Sequence, residues 1–265
     1  MEYLKFILYG LIQGLTEFIP VSSTAHLKVI SLFLGIDDPG ASLSAFMQLG
    51  SVLALAWYFR NDIFNLRSQT SKKFLKYLLH ERLIKSILIS TIPIILLGGS
   101  IKLFAPNFLN VLRSNSSIAL VSILMAFFMY LADSSKRGSI SIKNHNYSES
   151  FLIGFFQAFA IFPGVSRSGI TISSALISGW ERGDAAKFSF LLGIPAISLA
   201  AIVEFISSFN DFFLLGFPPL FVGLITTFLS SLLAIDFLLK YFSSNGLKIF
   251  IIYRFIFGVV ILLNL

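Results

Sequence analysis

The chain has 265 residues, of which 56% are hydrophobic and 12% charged, and its mean hydropathy is +0.86. Soluble domains carry about 25% charged residues, so this composition excludes an ordinary soluble fold and implies an integral membrane protein. Cysteine is absent, which excludes disulfides and thiolate metal sites. The net charge of +7 sits in the gaps between apolar runs, a placement that signals membrane topology and not nucleic-acid binding.

In chain order, residues 1–12 carry Glu2 and Lys5 and lead into a polar phrase without a small-residue cleavage site, so no cleavable signal peptide is expected. Residues 3–18 and 24–35 are apolar runs shorter than the roughly 20 residues a bilayer requires, and they flank the phrase GLIQGLTEFIPVSST at 10–24. Full-length runs follow at about 42–59, 83–104 and 118–132, the last extended by a few flanking residues. The pattern then repeats. Short runs at 151–162 and 169–179 flank GFFQAFAIFPGVSRS at 154–168, and full-length runs follow at about 188–206, 218–239 and 247–265.

The two phrases match at a constant offset of 144: Gly10 with Gly154, Gln13 with Gln157, Phe18 with Phe162, Val21 with Val165 and Ser22 with Ser166. The expected fold is therefore an all-α polytopic membrane protein with six transmembrane helices and two re-entrant helical hairpins. It forms one integral domain over 1–265, made of a first repeat (1–140) and a second, inverted repeat (141–265). Inversion follows from the odd number of spans in each half. Charge placement agrees. Arg60, Arg67, Lys72, Lys73, Lys76 and Arg82 mark a cytoplasmic gap, and 105–117 holds only Arg113. Lys136, Arg137 and Lys143 mark the next cytoplasmic gap, 207–217 has no Lys or Arg, and Lys240 and Lys248 mark the last. The first hairpin then enters from outside and the second from the cytoplasm, with their tips near the midplane and both termini outside.

In each phrase a helix is halted by proline, Pro20 or Pro163, and restarts at Ser22, Ser23 and Thr24 or at Ser166, Arg167 and Ser168. Proline breaks the helical ladder, and serine or threonine caps the next start. Two helix N-termini facing one cavity form an anion site. Gly164 and Gly169 are expected to allow positive φ and close ligand approach, and Arg167 adds a planar fork for phosphate oxygens. Helix breaks packed against protein explain the prolines and glycines as well, but not Arg167, since an arginine at membrane depth costs about 2.5–3.5 kcal/mol.

The copies differ where chemistry is expected. Glu17 stands opposite Ile161, Ser23 opposite Arg167 and His26 opposite Ile170. Gln13 and Glu17 share one helical face, and Ser23 and His26 another. The set offers a nucleophile, a base near neutral pH, and a carboxylate to orient the base or hold a divalent cation.

The segments EFIPVSSTAH (17–26) and PGVSRSGIT (163–171) resemble the two signature motifs of the bacterial undecaprenyl pyrophosphate phosphatases of the bacitracin-resistance type, and the resemblance extends over the whole chain in length and span pattern. The first motif is filled by Gln13 and Glu17 with Ser22, Ser23 and His26, and the second by Pro163, Gly164, Ser166, Arg167, Ser168 and Thr171. Gln13 is a departure, because other members carry a second carboxylate there.

The resemblance implies hydrolysis of undecaprenyl pyrophosphate to the monophosphate and inorganic phosphate, supported by Mg²⁺ or Ca²⁺, in the bacterial plasma membrane with the site open to the outer face. Glu17, Ser23, His26 and Arg167 are then the catalytic candidates, and Gln13, Ser22, Thr24, Gly164, Ser166, Ser168 and Thr171 the substrate-binding ones. Glu17 is the expected metal ligand. Ser23 activated by His26, His26 itself, and water are the alternative nucleophiles. The competing function is a polyprenyl-phosphate flippase or secondary transporter, which shares the inverted-repeat architecture. The expected partners are the polyprenyl pyrophosphate and membrane lipids, without nucleic acid, and a homodimer is compatible with the sequence.

Outside the motifs, Arg254 lies inside the last span and is expected to pair with Glu204 or Asp236. Gln48 is placed to reach the cavity from the first span. Glu181, Arg182, Asp184 and Lys187 read as a solvated cytoplasmic turn, and His80 and His145 as surface residues.

Overall fold

The computed structural model describes residues 2–60, 82–105, 108–135 and 138–264. Arg67, Lys72, Lys73, Lys76, His80, Lys136 and Arg137 lie outside the described residues. Those that are described fold into helices without a strand. In chain order they are α1 (Glu2–Phe18), α2 (Ser23–Leu34), α3 (Gly40–Tyr58), α4 (Arg82–Phe104), the single turn α5 (Phe108–Val111) and α6 (Asn115–Asp133). There follow α7 (Tyr147–Ala158), a 3₁₀ turn at Phe159–Ile161, α8 (Arg167–Ile177), α9 (Arg182–Ser207), the short α10 (Phe209–Leu215), α11 (Phe217–Phe242) and α12 (Lys248–Leu263).

Helix boundaries follow local chemistry. Gly35 ends α2 in the left-handed conformation, with its N–H on Leu32 O. Ser114 caps α6 by accepting from Ser117 N, and Glu149 returns its carboxylate to the Asn146 N–H at the start of α7. Five helices, α3, α4, α6, α9 and α11, are long and apolar enough to cross a membrane. The last expected span appears as the 16-residue α12, about 24 Å long at 1.5 Å per residue.

Exposure is patterned for lipid. Phe221, Ile225, Leu229, Leu233 and Phe237 form an exposed stripe at four-residue spacing along α11, and Leu120, Leu124, Phe127 and Leu131 form another on α6. Continuous apolar stripes of this length are unfavourable in water and suited to a bilayer.

Small residues let the first helix of each hairpin approach a span of the other half. Gly10 on α1 faces Gly223 O, where a Cβ would stand 2.6 Å away, and Gly14 faces Thr227 and Ser231 one turn on. In the same way Gly154 on α7 presses against the backbone of Ser90 on α4. These are small-residue interfaces of the kind that drive membrane helix packing. Replacing Gly154 by Val should therefore lower the melting temperature in detergent by several degrees, since overpacking costs about 1–3 kcal/mol. Gly183→Ala, which meets no atom within 4 Å, should leave it unchanged.

Helices α3 and α9, and likewise α6 and α12, lie side by side and antiparallel. On α3 and α9, Ser42 Oγ reaches Glu204 (3.2 Å) and Ser208 Oγ donates to Ser42 Oγ (2.8 Å), while Phe59 at the far end of α3 meets Lys187. On α6 and α12, Ser122 bonds Arg254 while Gly258 faces Ala119 O.

One surface expectation is corrected. His145 is fully buried: its ring packs on Trp180 and Phe188, Nε2 shares a 2.7 Å hydrogen bond with Ser86 Oγ, and Nδ1 one of 2.7 Å with Ile142 O. Glu181 is exposed and Arg182, Asp184 and Lys187 are partly exposed, in keeping with a solvated stretch, but from Arg182 onward the chain is already helical as the start of α9. Arg182 pairs with Asp133 at 2.7 Å, Asp184 accepts from Ile142 N at 3.0 Å, and a lone parallel bridge joins Ile140 to Trp180.

Candidate active site

The two chain breaks adopt one unusual geometry. Ser22 (φ 77°) and Ser166 (φ 70°), equivalent in the repeat, are the only non-glycine residues at positive φ among the described residues. Each precedes a restarted helix. A left-handed non-glycine residue costs about 1–2 kcal/mol, so the surrounding contacts must hold both turns in place. The expected serine cap forms in the second copy, where Ser166 Oγ accepts from Gly169 N at 3.2 Å. In the first, Ser22 Oγ faces Thr24 Oγ1 at 3.2 Å and caps nothing, so the α2 terminus keeps its leading N–H groups free of a side-chain cap. Gly164 takes the expected positive φ of 94°. Gly169 does not, being helical, and is small for another reason: a Cβ there would lie 3.2 Å from Ser166 Oγ and 3.5 Å from Pro20 Cβ.

The hairpin tips meet. Ser168 Oγ donates to Ile19 O at 3.3 Å and lies 3.5 Å from Glu17 O. Thr171 Oγ1 donates to Arg167 O at 2.8 Å and lies 2.6 Å from Ser189 Oγ. Ser168 and Thr171 thus brace the turns.

Glu17 is the hub between them. Its Oε2 accepts from Gln13 Nε2 (2.7 Å), Ser23 Oγ (2.9 Å) and Gln48 Nε2 (3.3 Å). Its Oε1 lies 3.5 Å from Arg167 Nη2, both side chains being at least nine-tenths buried. Helices α1, α2, α3 and α8 therefore each deliver one or more groups to a single carboxylate. Gln48 is in place as expected.

Arg167 is fixed through Nη1 and turns its other edge toward Glu17. Nη1 donates to Ser189 O at 3.0 Å and Nη2 faces the Glu17 carboxylate at 3.5 Å, whereas the buried Nε has no acceptor. Buried donors without acceptors are rare and costly, and Nε with Nη2 is the edge that grips a phosphate bidentately. Gly193 on α9 makes room for this head group, because a Cβ at Gly193 would stand 2.7 Å from Arg167 Cζ. Nothing in the sequence singled out Gly193 or Ser189.

His26 is brought to the same hairpin but not to Ser23. Its Nδ1 lies 2.7 Å from Ser22 O and its Nε2 2.6 Å from Tyr253 Oη, with the ring stacked on Phe257 at 4.4 Å. A carbonyl only accepts, so Nδ1 carries the proton. In the neutral ring Nε2 then accepts from the tyrosine hydroxyl. His26 thereby holds the backbone immediately before Ser23, and Tyr253 is a contributor that sequence reasoning missed.

The expected ion pair of Arg254 is also corrected. Glu204 bonds Ser42, and Asp236 bonds Lys240 (2.6 Å) and Tyr58 (3.2 Å). Arg254 is fully buried and donates to backbone carbonyls instead.

As a place for a divalent cation, the site offers oxygen donors only. Glu17 supplies a carboxylate, and Gln13 Oε1 is a buried acceptor without a donor. No cluster of three or more His, Cys, Asp or Glu occurs among the described residues. Two protein oxygens fit a Mg²⁺ or Ca²⁺ site completed by phosphate oxygens and water, and do not make a cage that would hold the ion alone.

The profile of the family described as bacitracin resistance protein BacA matches residues 6–260. A protein named undecaprenyl-diphosphatase from Prochlorococcus marinus strain AS9601 is 88% identical over the whole of this chain and 97% of its own. Another of that name, from strain MIT 9301, is 88% identical over the full length of both. A more distant one, from strain MIT 9313, is 45% identical over 96% of this chain and 86% of its own. With a profile match across nearly the entire sequence, and relatives this similar over most or all of their length, the chain belongs to the bacitracin resistance protein BacA family.

Proposed function

We infer that this chain is an undecaprenyl-diphosphatase of the membrane. It hydrolyses undecaprenyl pyrophosphate to undecaprenyl phosphate and inorganic phosphate, which returns the lipid carrier to cell-wall synthesis and underlies bacitracin resistance. The observation that carries this reading is the meeting of Glu17 and Ser23 on one hairpin with the buried, incompletely bonded guanidinium of Arg167 on the other, inside a chain whose close relatives bear that name. Those relatives favour hydrolysis over the flippase reading.

The residues divide the work as follows in this proposal. Arg167 Nε and Nη2, with the uncapped α2 terminus, Ser22 and Thr24, bind the pyrophosphate oxygens, while Gly164 and Ser166 shape the second turn. Ser23 Oγ already donates to Glu17 (2.9 Å), so Glu17 is placed to take its proton as the oxygen attacks the terminal phosphorus. The P–O bond to the bridging oxygen breaks and undecaprenyl phosphate leaves; water then hydrolyses the phosphoserine, releasing inorganic phosphate and restoring Ser23. His26 orients Ser22 and hence Ser23. A Mg²⁺ or Ca²⁺ ion, held by Glu17 and Gln13 Oε1, would neutralise pyrophosphate charge. An apolar cavity of about 400 Å³, lined by residues including Val121, Phe159, Pro163, Val165 and Ile170, borders the second turn and suits the first isoprene units.

The architecture proposed is six spans with two re-entrant hairpins, in two inverted repeats with the site open to the outer face of the plasma membrane. The antiparallel pairing of α3 with α9 and of α6 with α12 supports it, as does the charge alternation. Helix α12, short for a span, would cross with help from its flanking residues.

The test is phosphate release from undecaprenyl pyrophosphate by the purified protein in detergent. We expect turnover that falls at least tenfold with a chelator and returns with Mg²⁺; an inactive wild type would leave the flippase reading in place. Gly193→Ala should lower kcat/KM about 10- to 100-fold, because the added methyl displaces the Arg167 head group and misplacements near 1 Å cost rates of that order. Unchanged kinetics would show that the fit around Arg167 is not tight.

A further inference from the structure

The guanidinium of Arg254 touches neither carboxylate nor solvent. It is fully buried, and its three nitrogens are directed at three backbone carbonyls: Nη2 at Gly164 O (2.6 Å), Nη1 at Pro20 O (3.4 Å) and Nε at Ser122 O (3.5 Å). Ser122 returns a hydrogen bond from its hydroxyl to Arg254 O (3.1 Å). Pro20 and Gly164 are the same position in the two repeats, and each stands two residues before the positive-φ serine of its turn. One side chain from α12 therefore grips the corresponding carbonyl of both chain breaks.

Helix breaks within a membrane leave carbonyls that no water can satisfy, and a buried cation without a counter-ion is expensive. Placing the two together offsets both costs, and it does so at the only point where the halves' turns share a neighbour of this kind among the described residues. The consequence is geometric. Glu17 and Ser23 lie three residues either side of Pro20, and Arg167 lies three residues after Gly164. We propose that Arg254 is a positioning residue for hydrolysis: by bridging the Pro20 and Gly164 carbonyls it fixes the separation between the Glu17–Ser23 side of the site and the Arg167 side. Its charge adds to the positive field that the substrate anion meets. Lysine cannot replace it, because a single ammonium on a flexible stem does not span carbonyls presented by two different turns.

The inference rests on the hydrolase reading, and one assay separates the two: phosphate release by wild type tests that reading, and release by variants tests this one. In purified protein checked for folding by gel filtration and melting temperature, Arg254→Lys should lose at least 30-fold in kcat while KM stays within threefold. Arg254→Ala should regain at least tenfold of its lost rate when guanidinium ion is added at millimolar concentration, a response that lost packing alone would not give. Ser122→Ala, which leaves the guanidinium contacts in place, should remain within twofold of wild type. Wild-type kcat in Arg254→Lys would overturn the proposal. So would a folded Arg254→Ala without guanidinium rescue, and so would an Arg254→Lys chain that cannot be recovered folded, since that would make Arg254 a requirement of the fold and not of the site.

Discussion

Glu17→Gln should abolish phosphate release, with a fall of about 10³-fold in kcat and a folded, monodisperse protein. The amide is nearly the same shape, and its carbonyl oxygen can still accept from Gln13, Ser23 and Gln48, all of which point at Oε2. The network should therefore survive. What disappears is the charge that offsets Arg167 and the capacity to take a proton from Ser23. General base catalysis contributes about 10²–10⁴-fold, so the loss should fall within that range. Glu17→Asp, which withdraws the carboxylate by one methylene, should fall between wild type and the amide. Steady-state release of inorganic phosphate measures both, and a Glu17→Gln variant within tenfold of wild type would remove Glu17 from the chemistry.

Arg167→Lys should be nearly as damaging, for a different reason. The guanidinium spends Nη1 on Ser189 O, sets Nη2 beside Glu17 and leaves Nε without an acceptor inside the protein. An ammonium in its place must choose between Ser189 and the phosphate and cannot present two parallel donors. Loss of one transition-state donor costs about 10²–10³-fold. Arg167→Lys should show at least that loss in kcat/KM, with KM raised, and Arg167→Ala more, since it also leaves Glu17 buried without its partner. A Lys variant that keeps the wild-type KM would argue that phosphate is held elsewhere.

Much of this site was legible in the sequence, because its parts are local. The phrase QGLTEF sets Gln13 and Glu17 one helical turn apart, and their 2.7 Å contact follows from that spacing. The proline breaks, the positive φ at Gly164 and the arginine restart also depend on residues within a few positions of one another. The pairing of the two phrases across 144 residues was readable only because the chain repeats itself.

What escaped was tertiary. Arg254 was recognisable as a charge in a span, but a backbone carbonyl carries no signature in sequence, so carboxylates looked like its partners. Tyr253 and Gly193 resemble any span residue until α12 and α9 are placed against His26 and Arg167. His145 misled for the converse reason: surrounded by polar residues in the chain, it is covered by the distant Trp180 and by Phe188 of α9. Ser23 and His26 share a helix, yet the fold sends the serine to Glu17 and the histidine to Tyr253.

The proposed chemistry depends above all on the two hairpin tips meeting in the membrane to make one site. The absence of cysteine from the chain allows a direct test. A Cβ at Gly169 would lie 3.5 Å from Pro20 Cβ, within the separation of about 3.5–4.5 Å that a disulfide spans. In membranes expressing Pro20→Cys with Gly169→Cys, a mild oxidant should form an intramolecular bond within minutes, so that after denaturation in SDS neither thiol labels with maleimide, whereas either single variant treated the same way should label, both positions being buried in the folded protein. If both thiols of the double variant remain free under the same oxidant, the tips do not meet and the shared site is wrong.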